Sequence, residues 1–165
     1  MNPLRMPTTR DDACGPSPWA ARVGFLLCVL TLAALQGCAN REIASVSPDV
    51  DLAHLKKFYV ARFAPDERGI NILISGELTK LGFESSTGPD TDAPKDVDAI
   101  VTYEDSWRWD ITMYMVGLRV FIREPGSNRL LAVANSYHTS LTRKSPQEMV
   151  AEVLSNTFKK AQKAP

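Results

Sequence analysis

The chain is poor in the residues that most often announce chemistry. Its 165 residues include two histidines, His54 and His138, and three cysteines, Cys14, Cys28 and Cys38. Two isolated imidazoles do not make a structural metal site, which asks for three or four nitrogen or sulfur ligands. No G-x-S-x-G, S-x-x-K or Cys–His arrangement supplies an activated nucleophile, and neither type of glycine-rich nucleotide loop occurs. Lysine plus arginine equals aspartate plus glutamate at 19 each, so the basic excess that nucleic-acid binding needs is missing. No apolar run reaches the ~20 residues of a transmembrane helix, and no repeat of roughly 20–50 residues recurs. A metalloenzyme, a serine or cysteine hydrolase, a nucleotide-dependent enzyme and a nucleic-acid binder are all disfavoured, and no cofactor or metal is expected.

What is present begins near the amino terminus. Residues 23–35 read VGFLLCVLTLAAL, without a charge and preceded by Arg22, Arg10 and Arg5. That length falls within the ~7–15 residues of a signal-peptide core. Asp11 and Asp12 are unusual in such a lead. Leu35-Gln36-Gly37-Cys38 follows directly and resembles the lipobox of bacterial lipoproteins: an aliphatic residue at −3, a small one at −1, then cysteine. Gln36 is a less common choice at −2. The resemblance implies that residues 1–37 are removed and that the Cys38 thiol carries a diacylglyceryl group. Ala39, at +2, by similarity to enteric lipoproteins implies transfer to the outer membrane, with the domain facing the periplasm.

Cys14 and Cys28 would leave with the signal, so the exported domain would have no disulfide in a compartment that permits one. The part from Cys38 onward carries sixteen basic and seventeen acidic residues. Attachment to a membrane would then rest on lipid, where each buried CH₂ adds ~0.8 kcal/mol and two or three chains are needed to hold firmly.

Residues 38–50 (CANREIASVSPDV) are polar and without period, which predicts a flexible tether; residues 51–165 would be one domain. Lys57–Phe63 is aromatic and β-branched enough for a strand. Ile70, Leu73, Ile74, Leu78 and Leu81 recur at spacings of three and four, predicting a helix over 67–81, with Asp66 as its cap and Gly82 at its end. A short strand over 83–86 and a loop over 88–95 come next. A turn at Pro125–Asn128 sets Glu124 against Arg129 and places Ile122, Val120, Leu118 and Val116 opposite Leu131, Val133, Asn135 and Tyr137. A turn at Ile111-Thr112 sets Trp109, Trp107, Tyr103 and Val101 opposite Tyr114, Val116, Val120 and Ile122. Both hairpins assign the same apolar face. Ser145-Pro146-Gln147-Glu148 is a capping box with proline at the first helical position, and Val150, Val153, Leu154, Thr157 and Phe158 form one stripe behind it. The order β-α-β-β-β-β-α predicts an α/β (α+β) two-layer sandwich: a mostly antiparallel sheet of four to five strands with two helices on one face.

Lipobox, tether, a small βα…βββα domain and the hairpin EPGSNRLLA are similar to several families of short proteobacterial outer-membrane lipoproteins. The element order is also similar to envelope domains of the curli secretion lipoprotein and of the Tol system's periplasmic protein. This likeness of pattern implies an accessory or assembly role in the envelope and transfers no functional residue beyond Cys38.

Candidate contacts follow from the register. Ser106–Met115 gathers Trp107, Arg108, Trp109, Tyr114 and Met115 at one hairpin end; inward aromatics would cap the core, while Arg108 and Met115 would face a partner. The outer sheet face, with Thr102, Arg119, Phe121, Arg123, Ala132 and Ala134, is a second candidate. Glu104 falls opposite Arg119 and reads as an ion pair more readily than as half of a glycosidase dyad. Asp105 falls on the buried face, where Asn135 or a bulge would have to relieve it. His138 reads as a surface residue. The expectation is a non-enzymatic, lipid-anchored protein that binds an envelope protein, with a carrier of lipid or another apolar ligand and a wall-polymer hydrolase as rivals.

Overall fold

The structure, a computed structural model, describes residues 41–163 together with Trp19, Arg22 and Val23. The lipobox Leu35–Cys38 therefore lies outside the described residues. Among the described residues no helix is long and apolar enough to cross a membrane.

Six strands and two long helices follow in chain order: β1 (Arg41–Val46), β2 (Lys57–Ala61), α1 (Ile70–Lys80), β3 (Glu84–Gly88), β4 (Ala99–Asp110), β5 (Thr112–Arg123), β6 (Leu130–Tyr137) and α2 (Pro146–Lys163). The sheet runs β1-β6-β5-β4-β2-β3. It is mixed: β2 pairs in parallel with both β3 and β4, and the other pairs are antiparallel. The fold is thus the expected α+β sandwich, with one strand more. That strand is β1. Residues 41–46 were expected in the tether, but their alternation sets Ala44 and Val46 against the core while they pair with β6 along its length. With only six residues and two small core contacts, its hydrophobic signal is too faint to stand out from a linker.

The helices behave as their sequences dictate. The helix α1 begins at Ile70, later than expected, and its N-cap is Gly69 in a left-handed turn at φ 71°; Asp66, further upstream, still accepts from the Ile70 and Asn71 N–H groups. Gly82, at φ 96°, ends the helix, where Phe83 N–H donates to the Leu78 carbonyl. The capping box of α2 is reciprocal: Ser145 N–H donates to Glu148 Oε2 at 2.7 Å and Glu148 N–H to Ser145 Oγ at 3.3 Å. Met149, Val150, Val153 and Leu154 of α2 meet Ile70, Ile74 and Leu78 of α1 over Phe58, Val60, Val101, Tyr103, Val120 and Ile122.

Two bulges decide which side chains face that core. The turn at Pro125–Asn128 and the Glu124–Arg129 pairing form as read, with Glu124 N–H donating to the Arg129 carbonyl at 2.9 Å. The register then shifts between Arg123↔Leu130 and Ile122↔Ala132, leaving Leu131 as an extra residue. A one-residue slip turns every later side chain over. Ala132, Ala134 and Ser136 therefore point inward and are buried, correcting their expected outward placement, and Val133, Asn135 and Tyr137 take the outer face. The β4–β5 register holds from Ile100↔Arg123 to Ser106↔Gly117 and then shifts, so that Trp107 pairs with Met115. Val116 is the extra residue there. It turns Met115 into the core, where it is 1% exposed, correcting its expected role as an outward contact.

Val120 is buried and Phe121, its neighbour, is half-buried on the outer face. Val120→Ala should cost about 1–3 kcal/mol, and Phe121→Ala about 0.5 kcal/mol. Urea melts of the two variants give the comparison; a larger loss for Phe121→Ala would invert the sheet's faces.

Candidate functional site

Among residues 41–163 no helix lies over the outer face of β1, β6, β5 and β4. Arg41, Ile43 and Ser45 of β1 lie beside Tyr137, Asn135 and Val133 of β6, which lie beside Gly117, Arg119 and Phe121 of β5. Ile43 is 47% and Tyr137 44% exposed. The Arg123 guanidinium sits 5.4 Å from the Phe121 ring centre, and Arg119 lies 3.6 Å from Glu104, the cross-strand ion pair expected. Both partners are more than half exposed, so the pair sets local charge more than it adds stability. Gly117, lacking a side chain, leaves a shallow trough edged by Ser106, Arg119, Asn135 and Tyr137. The buried Oδ1 of Asn135 has no hydrogen-bond partner among the described residues.

Over β2 the outer face is closed. Tyr59 is buried there and its hydroxyl donates to the Pro89 carbonyl at 2.7 Å. A Cβ at Gly88 would come within 2.6 Å of that hydroxyl, so only glycine lets the chain pass over it. The open face therefore ends at β4.

The second surface is the β4–β5 hairpin end. Trp107 is half-buried against the core, with the Arg68 guanidinium 4.3 Å above its ring. Its indole N–H donates to the Asp105 carboxylate, which answers how that acid is satisfied; Asn135, on the opposite face, takes no part. Arg143 clamps the other side. It lies 4.2 Å from the Tyr114 ring centre and donates to Asp110 Oδ2 at 2.8 Å, to the Asp110 carbonyl at 3.1 Å and to Thr112 Oγ1 at 3.0 Å. Beyond the clamp Trp109 is 72%, Ile111 88% and Met113 46% exposed. Asp110 pairs directly with Thr112, so Ile111 alone makes the turn, at φ 61°.

A third group lies beneath α2. Once the Leu131 bulge turns β6 over, Ser136 and His138 face inward, and His138 is 2% exposed. This corrects its expected surface position. Glu152 accepts from Ser136 Oγ at 2.6 Å and from Lys144 Nζ at 2.5 Å, and His138 Nε2 lies 2.8 Å from it. Burial opposes ionisation of Glu152, but hydrogen bonds from Glu42, Lys144, Ser136 and His138 outweigh it and hold the group below the usual carboxylate range. Glu42 is raised by its hydrogen bond with Glu152 and by burial. The two carboxyls thus titrate in opposite directions, Glu42 upward and Glu152 downward. Glu42, His138 and Glu152 each bring one ligand atom within 4.8 Å of the others. Both oxygens of Glu152 are already held, however, so a cation there would have to displace the Lys144 ammonium. The cluster fastens β1 and β6 to α2.

Of the residues singled out in the sequence, Trp107, Arg108, Trp109 and Tyr114 come together at the hairpin end, Arg119 and Phe121 share the outer face, and Met115 belongs to neither surface. Ile111 and Met113 were not singled out, although they stand in the same SWRWDITMYM segment; a turn drawn one residue too wide hid them. Tyr137 and Ile43 were missed with the bulge and with β1.

No protein-family model matches the chain, and no curated relative does. Among solved structures, the dodecamer of PelC from Paraburkholderia phytofirmans aligns with a TM-score of 0.55 at 12% identity, covering 72% of this chain and 98% of that one. A point variant of the same protein, also a dodecamer, aligns at 0.52 and 14% identity, covering 70% and 95%. TolB from Acinetobacter baumannii aligns at 0.44 and 13% identity, covering 75% of this chain and 31% of that one. At identities this low the likeness to PelC is one of fold.

Proposed function

We propose that this chain is a lipoprotein held on the outer membrane through Cys38, facing the periplasm and acting without catalysis as a protein-binding accessory or assembly factor of the bacterial envelope. The observation that carries the binding role is the open sheet face. One side of the sheet is spent on the core. The other, from β1 to β4, offers Ile43, Tyr137, Phe121 and two arginines to a neighbour, the mix of apolar, aromatic and guanidinium groups that protein contacts favour. The acids that invited a hydrolytic reading are committed elsewhere: Glu104 to Arg119 and Asp105 to Trp107.

A second copy of this chain is the partner we place first, because the PelC structures that share its fold are dodecamers. Both sheet edges, β1 and β3, are also open to another strand among the described residues. Crosslinking of the protein in native membranes tests this. Wild type should give a ladder of its own multiples, and Arg119→Ala combined with Phe121→Ala should reduce the ladder while leaving the melting curve nearly unchanged. A double variant that melts normally and still crosslinks fully would move the contact elsewhere.

The carrier reading has less support. The apolar recess between the helix ends, lined by Leu81, Phe83, Phe158 and Ala161, encloses about 220 Å³, below the ~300–1,000 Å³ of sites that bury a small molecule.

The anchor is tested separately. Cys38→Ala should abolish labelling by radioactive fatty acid and leave an unprocessed precursor, since the thiol is the acyl acceptor. Label on the Cys38→Ala protein would refute lipidation at that residue.

A further inference from the structure

The hairpin end points the same way as the start of β1. Arg41 pairs with Tyr137, Tyr137 with Gly117, and Gly117 with Ser106, so these four residues form one row across the sheet. From that row β1 runs inward, toward Val46, and β4 runs outward, toward Asp110. The amino end of β1 therefore lies on the side on which the hairpin projects. Cys38 is three residues before Arg41, a reach of at most about 10 Å. Ile111 is five residues beyond Ser106, about 16 Å along an extended strand. A lipid on Cys38 leaves the domain no slack to stand away from the bilayer, and the hairpin is the longer of the two projections by several ångströms.

What the hairpin carries beyond the row suits that position. Trp109 and Met113 pair with each other and extend the face begun by Trp107 and Met115. Ile111 leads at the turn, and Leu141, 94% exposed, lies in the turn whose Arg143 grips Asp110 and Thr112. Isolated apolar residues on a surface are ordinary; three on one clamped hairpin, with a fourth in the turn that clamps it, are not a consequence of folding. Ile111 is the sharpest case. A β-branched residue in the left-handed region is strained where asparagine or glycine would sit easily, and the Ile111 side chain, 88% exposed, is no part of the core. Of the acids nearby, Asp110 is paired with Arg143 and Asp105 accepts from the Trp107 indole, and the exposed Arg108 at the same end suits an anionic headgroup layer.

We propose that the β4–β5 hairpin end is a membrane-seating surface: with Cys38 acylated, Trp109, Ile111 and Met113 enter the interfacial layer of the same bilayer and fix the domain's orientation on it. Insertion of aromatic and aliphatic side chains by about 5–10 Å is the usual depth for interfacial elements, and it matches the excess reach of the hairpin over the anchor. Lipid holds the protein to the membrane, and the hairpin decides which face of the sheet lies open to neighbours.

This inference rests on lipidation of Cys38, and one preparation separates the two. Full-length protein is expressed in its host, purified in detergent and reconstituted into phosphatidylethanolamine–phosphatidylglycerol vesicles containing a dibrominated phosphatidylcholine. Intact mass reports the acyl chains. With the signal removed, Trp107 and Trp109 are the only tryptophans. In Trp107→Phe protein the remaining Trp109 should emit to the blue and be quenched by bromine; in Trp109→Phe protein Trp107 should be quenched little. Ile111→Asn, made on the Trp107→Phe background, should melt at the same or a higher temperature and yet lose quenching. Absence of acyl chains overturns both proposals. Acylated protein whose Trp109 emits as in water and is not quenched overturns this one alone and returns the hairpin end to a protein partner. Quenching that survives Ile111→Asn unchanged also counts against it.

Discussion

Asp66→Ala is expected to lower the unfolding free energy by about 3–5 kcal/mol, enough to threaten a domain of this size. Asp66 is 1% exposed. Its carboxylate accepts from the backbone N–H groups of Arg68 at 2.7 Å, Gly69 at 2.9 Å, Ile70 at 2.7 Å and Asn71 at 3.4 Å. The Tyr103 hydroxyl, on β4, donates to it at 2.6 Å. Alanine would orphan the first amides of α1 and leave the buried phenol without its acceptor. Burial opposes charge on Asp66, but the hydrogen bonds from Tyr103, Arg68, Asn71 and Ile70 win and depress its pKa; burial, then the Asp66 carboxylate, raise that of Tyr103. A depressed carboxylate contributes stability that is present above its unfolded value, about 3.9, and is lost as pH falls through the folded one. Asp66→Asn should accordingly melt lower than wild type at pH 7 and converge toward it in acid. Tyr103→Phe should cost about 1.5–3 kcal/mol, and its effect should largely vanish in the Asp66→Ala background. Equal losses for Tyr103→Phe in both backgrounds would mean that the two do not act as a unit.

Asp66 was legible as a helix cap, because a short acidic residue before an amphipathic period has few other uses. Tyr103 was legible as a core residue. Their contact was not, since it joins residues 37 apart through the packing of α1 over the sheet. The same divide runs through the rest of the molecule. Caps, helix stripes and the Glu124–Arg129 turn are local and were read correctly. The outward faces of β6 and of the hairpin end depend on two bulges, at Leu131 and Val116, and a bulge has no composition of its own. In Leu130-Leu131-Ala132-Val133-Ala134 every residue is apolar, so alternation gives no sign of which one is extra. The error carried forward to His138, expected on the surface and found buried beside Glu152. At the hairpin end the segment was recognised as unusual, but its geometry, with Ile111 alone at the turn, required the slipped register. The parallel pairing of β2 with β4 was likewise invisible, because a strand's sequence does not record the direction of its neighbour.

Removing β1 should be the most damaging truncation. A soluble chain beginning at Ala39 keeps every element described; one beginning at Ser47 loses a strand that the sequence had assigned to a tether. If residues 38–50 were a tether, the two chains would melt alike. The structure gives them different fates. Ala44 and Val46 lean on the core, six residues of ladder join β6, and Asn156 of α2 donates to Glu42 at 3.0 Å. Loss of the two apolar contacts and the ladder should cost about 2–4 kcal/mol after the entropy of ordering the segment is returned. Two further consequences separate this from a mild loss of packing. Glu152 would lose the Glu42 carboxyl that β1 brings to the cluster beneath α2. The freed edge of β6, which carries Val133 and Tyr137 on its outer face, would become an unpaired strand of the kind that recruits other chains. The Ser47 chain should therefore melt at a lower temperature and aggregate on the way, whereas the Ala39 chain should unfold cooperatively. An unchanged melting curve for the Ser47 chain would mean that β1 does not hold the sheet edge in solution, and it would also restore to the anchor the slack that a membrane-seated hairpin cannot have.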